Sequence, residues 1–255
     1  MKSDYTWVLN SIFFDNSYMR EKIGYDIWNE LSSDFNHNLE YVELVINGEY
    51  QGLYYLQETV TMETFNGNFA KDLLVSIKTW ETLLKNLNVD NLLVNYDDST
   101  NEFEIEEGLE EDYKTKTQIL ESFSLSVLDE PITLNLKYDL DNMVNYGLFI
   151  STTMARDNTY KNQKIFFKNM GGYYLIQKTV WDLDWVLGNE KIHLINPDLN
   201  VSIEDLDFDL GIPESLRRNE IYKKISKEKY FKFRKDYYNE ENISETIDKY
   251  RTYLE

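Results

Sequence analysis

Apolar residues recur every four positions at Met19, Ile23, Ile27 and Leu31, with Trp28 beside them. That spacing lays one apolar stripe along a helix. Asp15, Asn16 and Ser17 precede it and offer capping oxygens. Residues 6–14 are apolar and read as a strand or extended segment. Residues 41–46 and 50–58 read as two strands joined at Asn47-Gly48, the pair favoured in a two-residue hairpin turn because both positions take positive φ. Residues 71–87 carry Leu73, Leu74, Ile77, Trp80, Leu84 and Leu87 at helical spacing. The acidic stretch 95–112 has little periodicity and predicts a loop or short hairpin. Residues 114–128 predict a helix through Ile119, Leu120, Phe123 and Val127, and residues 139–154 another, capped by Asp139. A polar loop over 156–163 follows. Two strands, 164–168 and 173–181, then flank a Gly171-Gly172 turn. From Glu214 onward the chain is charged and aromatic and predicts two or three helices, the last after Asn242.

This pattern predicts an α+β chain: a sheet-rich start, a helical middle and end, and a hairpin set between helices. A boundary near residue 62 would divide 1–62 from 63–255. Composition adds that 42% of residues are hydrophobic and 15% aromatic, including 20 Tyr and 13 Phe, enough to build a core and to exclude a disordered chain. Cysteine is absent, which excludes disulfides, thiolate metal sites and cysteine nucleophiles. His37 and His193 are the only histidines, too few for a multi-histidine metal site.

The net charge of −20 argues against nucleic acid and anionic membranes as partners and favours a basic protein. No apolar run approaches the ~18 to 20 residues that span a bilayer. Residues 1–5 carry no signal-peptide pattern, so the expectation is a cytoplasmic protein or a piece of a longer chain.

Chemistry concentrates in two polar segments on either side of the second hairpin. One is Trp181-Asp182-Leu183-Asp184-Trp185 with Gly188 beyond it. On an extended backbone Asp182 and Asp184 would face one way. Paired carboxylates repel unless a cation such as Mg²⁺ sits between them. The other segment has Asp157 followed by Asn162. Protein kinases place a hydroxyl-orienting Asp and a metal-binding Asn at this spacing, then a hairpin, then a metal-binding Asp. The order here is the same. Asp205, Asp207 and Asp209 alternate as in a calcium loop, but Leu210 and Leu216 stand where Gly and Glu are needed.

The run Trp7-Val8-Leu9, the segment from Asp15 to Arg20, the hairpin Val42 to Glu58 with its N-G-x-Y-x-G-x-Y-x-x-x-E pattern, the Asp157 to Asn162 loop, the W-D-x-D-x-x-x-G element and the helical end with Tyr230-Phe231-Lys232-Phe233-Arg234 together resemble the CotH family over nearly the whole chain. The resemblance implies an atypical protein-kinase-like fold: an incomplete N-terminal sheet lobe with the hairpin, and a larger, mainly helical C-terminal lobe. It implies Mg²⁺- and ATP-dependent phosphorylation of Ser or Thr in proteins such as basic, Ser-rich spore coat components, in the cytoplasm or the spore coat. Carried over by position, Asp157 orients the attacking hydroxyl, Asn162, Asp182 and Asp184 hold metal, and Glu58 and Lys161 contact the nucleotide. The resemblance also implies a phosphate-binding lysine ahead of Trp7, where Lys2 is the only lysine. An inactive or truncated CotH-like binding protein is therefore the alternative reading. A metal-dependent glycosyltransferase using Asp182 and Asp184 is a third, weakened by the lack of an alternating strand–helix start.

Overall fold

The computed structural model describes residues 6–13, 15–32, 35–77, 103–110, 112–127, 129–155, 157–188 and 212–255. Trp80, Leu84, Leu87, Arg156, His193 and the Asp205 to Asp209 stretch lie outside the described residues. Among those described, the chain is a mixed α+β structure with two sheets and seven α-helices.

The first sheet has the order β1-β3-β2, from β1 (Trp7–Ser11), β2 (Leu39–Ile46) and β3 (Glu49–Glu58), all antiparallel. Asn47 and Gly48 both have positive φ, 54° and 84°, as the tight β2–β3 turn requires. Helix α1 (Arg20–Leu31) connects β1 to β2. It starts five residues beyond Asp15, whose carboxylate accepts hydrogen bonds from the backbone N–H of Ser17, Met19 and Arg20 and pairs with the Arg20 guanidinium at 2.7 Å. Burial alone would raise the Asp15 pKa, but the hydrogen bonds from Ser17 and Arg20 bring it below its ordinary value. The sequence-predicted capping region therefore does cap the helix, through a carboxylate that reaches across the loop.

The second sheet has the order β5-β4-β7-β8-β6. It contains β4 (Leu73–Ile77), β5 (Phe103–Glu107), β6 (Leu136–Tyr138), β7 (Gln163–Asn169) and β8 (Tyr174–Val180). All pairings are antiparallel except β6 with β8. Among the described residues, the region after residue 62 carries six α-helices, as its mainly helical pattern predicts, and with them a five-stranded sheet. This corrects one expectation: residues 73–77 form a strand rather than the start of a helix. The reason is burial on both faces: all five residues of β4 are buried. A strand covered on both sides reads as a continuous apolar run, and its Leu, Leu and Ile happen to fit helical spacing.

Helices α2 (Tyr113–Val127) and α3 (Leu140–Thr153) pack with this sheet in one core that includes Ile119, Phe123, Met143, Ile165, Phe167 and Ile176. Asp139 caps α3 by accepting from the Asn142 N–H at 3.2 Å, as its sequence position predicts. A second core joins Ile23, Ile27 and Trp28 of α1 and Tyr55 of β3 to Tyr146, Phe149 and Ile150 of α3. Helices α5 (Glu214–Arg218), α6 (Glu220–Asp236) and α7 (Glu240–Leu254) complete the chain and add Phe233 and Tyr250 to that core.

His37 lies fully inside the fold, where its Nε2 shares a 2.7 Å hydrogen bond with Thr179 Oγ1. Burial pushes its pKa down to about 3. A histidine kept neutral in the folded state loses stability as pH falls below its unfolded value of 6.5, down to about 3. At pH 4.5 the loss is about 2 to 3 kcal/mol. Melting at pH 7.5 and 4.5 checks this: the variant His37→Gln should lose clearly less stability over that interval than the wild type. Equal losses would place the acid sensitivity elsewhere.

Candidate functional site

The site begins where α3 ends. Met154 turns the chain with φ 54°, and α4 (Asp157–Tyr160) is a single helical turn. Asn158 anchors that turn. Its amide donates to the backbone oxygens of Asn162 at 2.9 Å and Trp181 at 2.8 Å, while its own carbonyl accepts from the Tyr146 hydroxyl at 2.7 Å. One buried side chain thus ties the loop before β7 to the segment after β8. Sequence reasoning passed over Asn158, because an Asn in a polar loop looks like ordinary turn chemistry. Asn158→Ala should destabilise the fold by about 2 to 3 kcal/mol, since two buried carbonyls lose their donor. A melting curve of this variant that matches the wild type would show that the loop is held by other contacts.

Asp157, Asn162 and Asp182 meet in one place. Asn162 Nδ2 donates to Asp157 Oδ2 at 2.6 Å and to Asp182 Oδ2 at 3.0 Å. Lys161 Nζ lies 3.0 Å from the same Asp157 oxygen and 5.6 Å from the centre of the Trp185 ring. Asp157 is 1% exposed. Asn162 and Asp182 both take left-handed backbone conformations, φ 53° and 56°, which Asn and Asp tolerate better than other side chains. The extended backbone expected through Asp182 and Asp184 is therefore not found: β8 ends at Val180 and the chain turns at Asp182. The carboxylates are nevertheless close enough to feel one another. Burial, followed by the charges of Asp182 and Asp157, pushes Asp184 up to about 7, against the pull of Lys161. Burial raises Asp182 too, opposed by Lys161 and the Asn162 amide.

A further acid comes from α1. Glu21 is 7% exposed, and burial, then Asp182, Asp184 and Asp15, push its pKa up to about 8. Among the described residues no cation forms an ion pair with it. Helix α1 can approach this segment because Gly24 has no side chain: a Cβ there would lie 3.2 Å from Val186 Cγ1 and 3.3 Å from Leu183 Cδ1. Glu21 was missed because an acid in the first turn of a helix reads as a solvated partner of the helix dipole.

The structure thus brings together Asp157, Lys161, Asn162, Asp182 and Asp184. Glu58 ends β3, and its carboxylate accepts from Asn38 Nδ2 at 2.6 Å. Among the described residues no hydrogen bond or ion pair links Glu58 to the cluster. No three acidic or histidine side chains among those residues converge on a ready-made metal site. The donor set is a mixed one, Asn162 between two carboxylates. A hard cation that keeps water and substrate oxygens in its remaining positions suits such a set, provided Asn162 presents Oδ1 in place of Nδ2. The excess of negative charge among buried groups is what a cation would relieve.

The family model described as CotH kinase protein matches residues 2–255, essentially the whole chain. The comparison with curated proteins finds no match.

Proposed function

The chain belongs to the CotH family, and on that premise we propose that it is an atypical protein kinase with a kinase-like fold, which transfers the γ-phosphoryl group of ATP to Ser or Thr of a basic protein such as a spore coat component. One observation carries the reading. Asn162 bridges Asp157 and Asp182, residues from segments separated by a hairpin, in the order loop Asp, loop Asn, hairpin, Asp. The family's association with the spore coat supports the choice of partner. The net charge of −20 favours a basic partner as well.

In this mechanism Asp157 accepts the proton of the attacking hydroxyl as its oxygen forms a bond to the γ-phosphorus and the bond to the ADP oxygen breaks. Lys161, paired with Asp157, neutralises developing charge on the phosphoryl oxygens. Asn162 and Asp182 would hold Mg²⁺, with Asp184 as a second acidic neighbour and Glu58 as a nucleotide contact. Bound Mg²⁺ supplies charge neutralisation and orientation of the phosphates. Buried Asn158 holds the loop and the Asp182 segment in register, so the rearrangement that metal binding requires is confined to the Asn162 amide. No helix among the described residues is long and apolar enough to cross a membrane.

The test is transfer of radiolabelled γ-phosphate from ATP to a basic, Ser-rich protein, with Mg²⁺ and with EDTA. Mg²⁺-dependent label on Ser or Thr is expected. Absence of label on substrate and on the chain itself, at ATP concentrations that saturate kinases, overturns the reading. A second reading, a family member that works by contacts alone, is favoured by one detail. The Asn162 amide and Lys161 already satisfy Asp157 and Asp182 internally.

A further inference from the structure

A cavity of about 630 Å³ lies between the β2–β3 hairpin, the loop before α1 and the last turn of α7, lined by none of the residues of the carboxylate cluster. Four tyrosines, Tyr18, Tyr41, Tyr50 and Tyr253, line it together with Glu43, Gly52, Leu53 and Leu254. The inner wall is fixed. The hydroxyls of Tyr41 and Tyr55 both donate to the Tyr18 carbonyl oxygen, at 2.6 and 2.8 Å. The Tyr41 ring lies 5.1 Å from Tyr55 and stacks on Tyr253 at 5.5 Å, with an interplanar angle of 30°. The outer rings are open to solvent: Tyr18 is 46% exposed, Tyr50 61% and Tyr253 66%. The opening has a local cause. Strand β2 passes from Leu44, opposite Gly52, to Val45, opposite Tyr50, so one extra residue bulges from β3. Gly52 takes φ 117° with open space where a Cβ would stand.

The chemistry of this cavity is selective. Aromatic faces attract cations, and a planar guanidinium adds stacking to that attraction. Glu43 contributes a carboxylate to the lining, and among the described residues no Lys or Arg is part of it. The chain as a whole carries −20, so a cationic partner is also drawn in at long range. Exposed, partly fixed tyrosines around a concavity are the kind of group that anchors protein interfaces, because they cover area at small entropic cost.

We propose that this tyrosine groove is a docking site for an arginine side chain presented by a basic protein segment. The guanidinium stacks between the Tyr50 and Tyr253 rings and pairs with Glu43. The proposal rests on the groove's own chemistry and does not depend on phosphoryl transfer at the carboxylate cluster.

The experiment measures binding of a fluorescein-labelled peptide of alternating Arg and Ser to the whole chain by polarisation. Comparison peptides carry Lys or citrulline in place of Arg. The double variant Tyr50→Ala/Tyr253→Ala should weaken the Arg peptide about tenfold. Glu43→Gln should weaken it severalfold, and citrulline should abolish most binding. The Lys peptide should bind more weakly than the Arg peptide. Glu63→Gln, an exposed charge outside the groove, should leave affinity nearly unchanged. If the double variant binds like the wild type, or Glu63→Gln acts as strongly as Glu43→Gln, diffuse charge is the cause and the groove is not a site. Circular dichroism checks that the double variant is folded, and Glu43→Gln alone keeps the test decisive if it is not. Asp182→Asn must leave peptide binding intact, so loss of kinase activity and loss of docking are separable results.

Discussion

Asp157→Asn is expected to reduce phosphoryl transfer by about two to three orders of magnitude while leaving the protein folded. In the proposed mechanism this carboxylate takes the hydroxyl proton, and loss of a positioned general base typically costs a factor of 10² to 10⁴. The amide keeps the shape and the contact with Asn162 but cannot take up a proton. It also weakens the pairing with Lys161, whose side chain is partly exposed and can be solvated instead. The fold should therefore lose only about 1 to 2 kcal/mol, as expected when a partly exposed ion pair is broken. The signature is a fall in kcat with little change in the KM for ATP, because the role proposed for Asp157 is on the hydroxyl rather than in nucleotide affinity. A variant that retains most of its activity removes Asp157 from the mechanism.

Glu21→Gln should stabilise the ligand-free protein at pH 8 in EDTA by about 4 kcal/mol, on the order of 10 °C in melting temperature. The sign follows from the direction of the shift. The unfolded carboxyl titrates near 4.5, whereas the folded one is held up to about 8, first by burial and then by Asp182, Asp184 and Asp15. Between these values the unfolded state ionises freely and the folded state does not, so stability is lost as pH rises through the window. Gln has no charge to lose and removes that penalty. At pH 4.5 the wild type and the variant should melt alike. Equal melting at both pH values would mean that Glu21 finds a cation or water in solution, and the buried acid would not be a strained one.

Much of this arrangement was legible before the structure. The Asn47-Gly48 turn, the helix at Asp139 and the strand–Gly-Gly–strand hairpin each rest on local chemistry, and local chemistry is what a sequence displays. The loop Asp and Asn were recognisable because their spacing within one short segment is itself the constraint. What escaped detection depends on packing. β4 looked helical because burial on both faces erases the alternation that marks a strand. Glu21 looked solvated because its burial comes from packing and because Asp182 and Asp184, two of the acids that perturb it, are about 160 residues away along the chain. Asp182 and Asp184 were read as sharing a face along a strand. The fold instead places a left-handed turn at Asp182 and leaves the coupling to short distance.

The proposed metal–nucleotide site joins Asp157, Asn162 and Asp182. Thermal melting of the chain with Mg²⁺ alone, ATP alone and both together tests it most directly, with Asp182→Asn alongside. A ligand that binds only the folded state raises the melting temperature. The expected result is a rise that requires both ligands and is lost in Asp182→Asn, whose ligand-free melting stays close to that of the wild type. No rise at millimolar Mg²⁺ and ATP, or the same rise in Asp182→Asn, would contradict it.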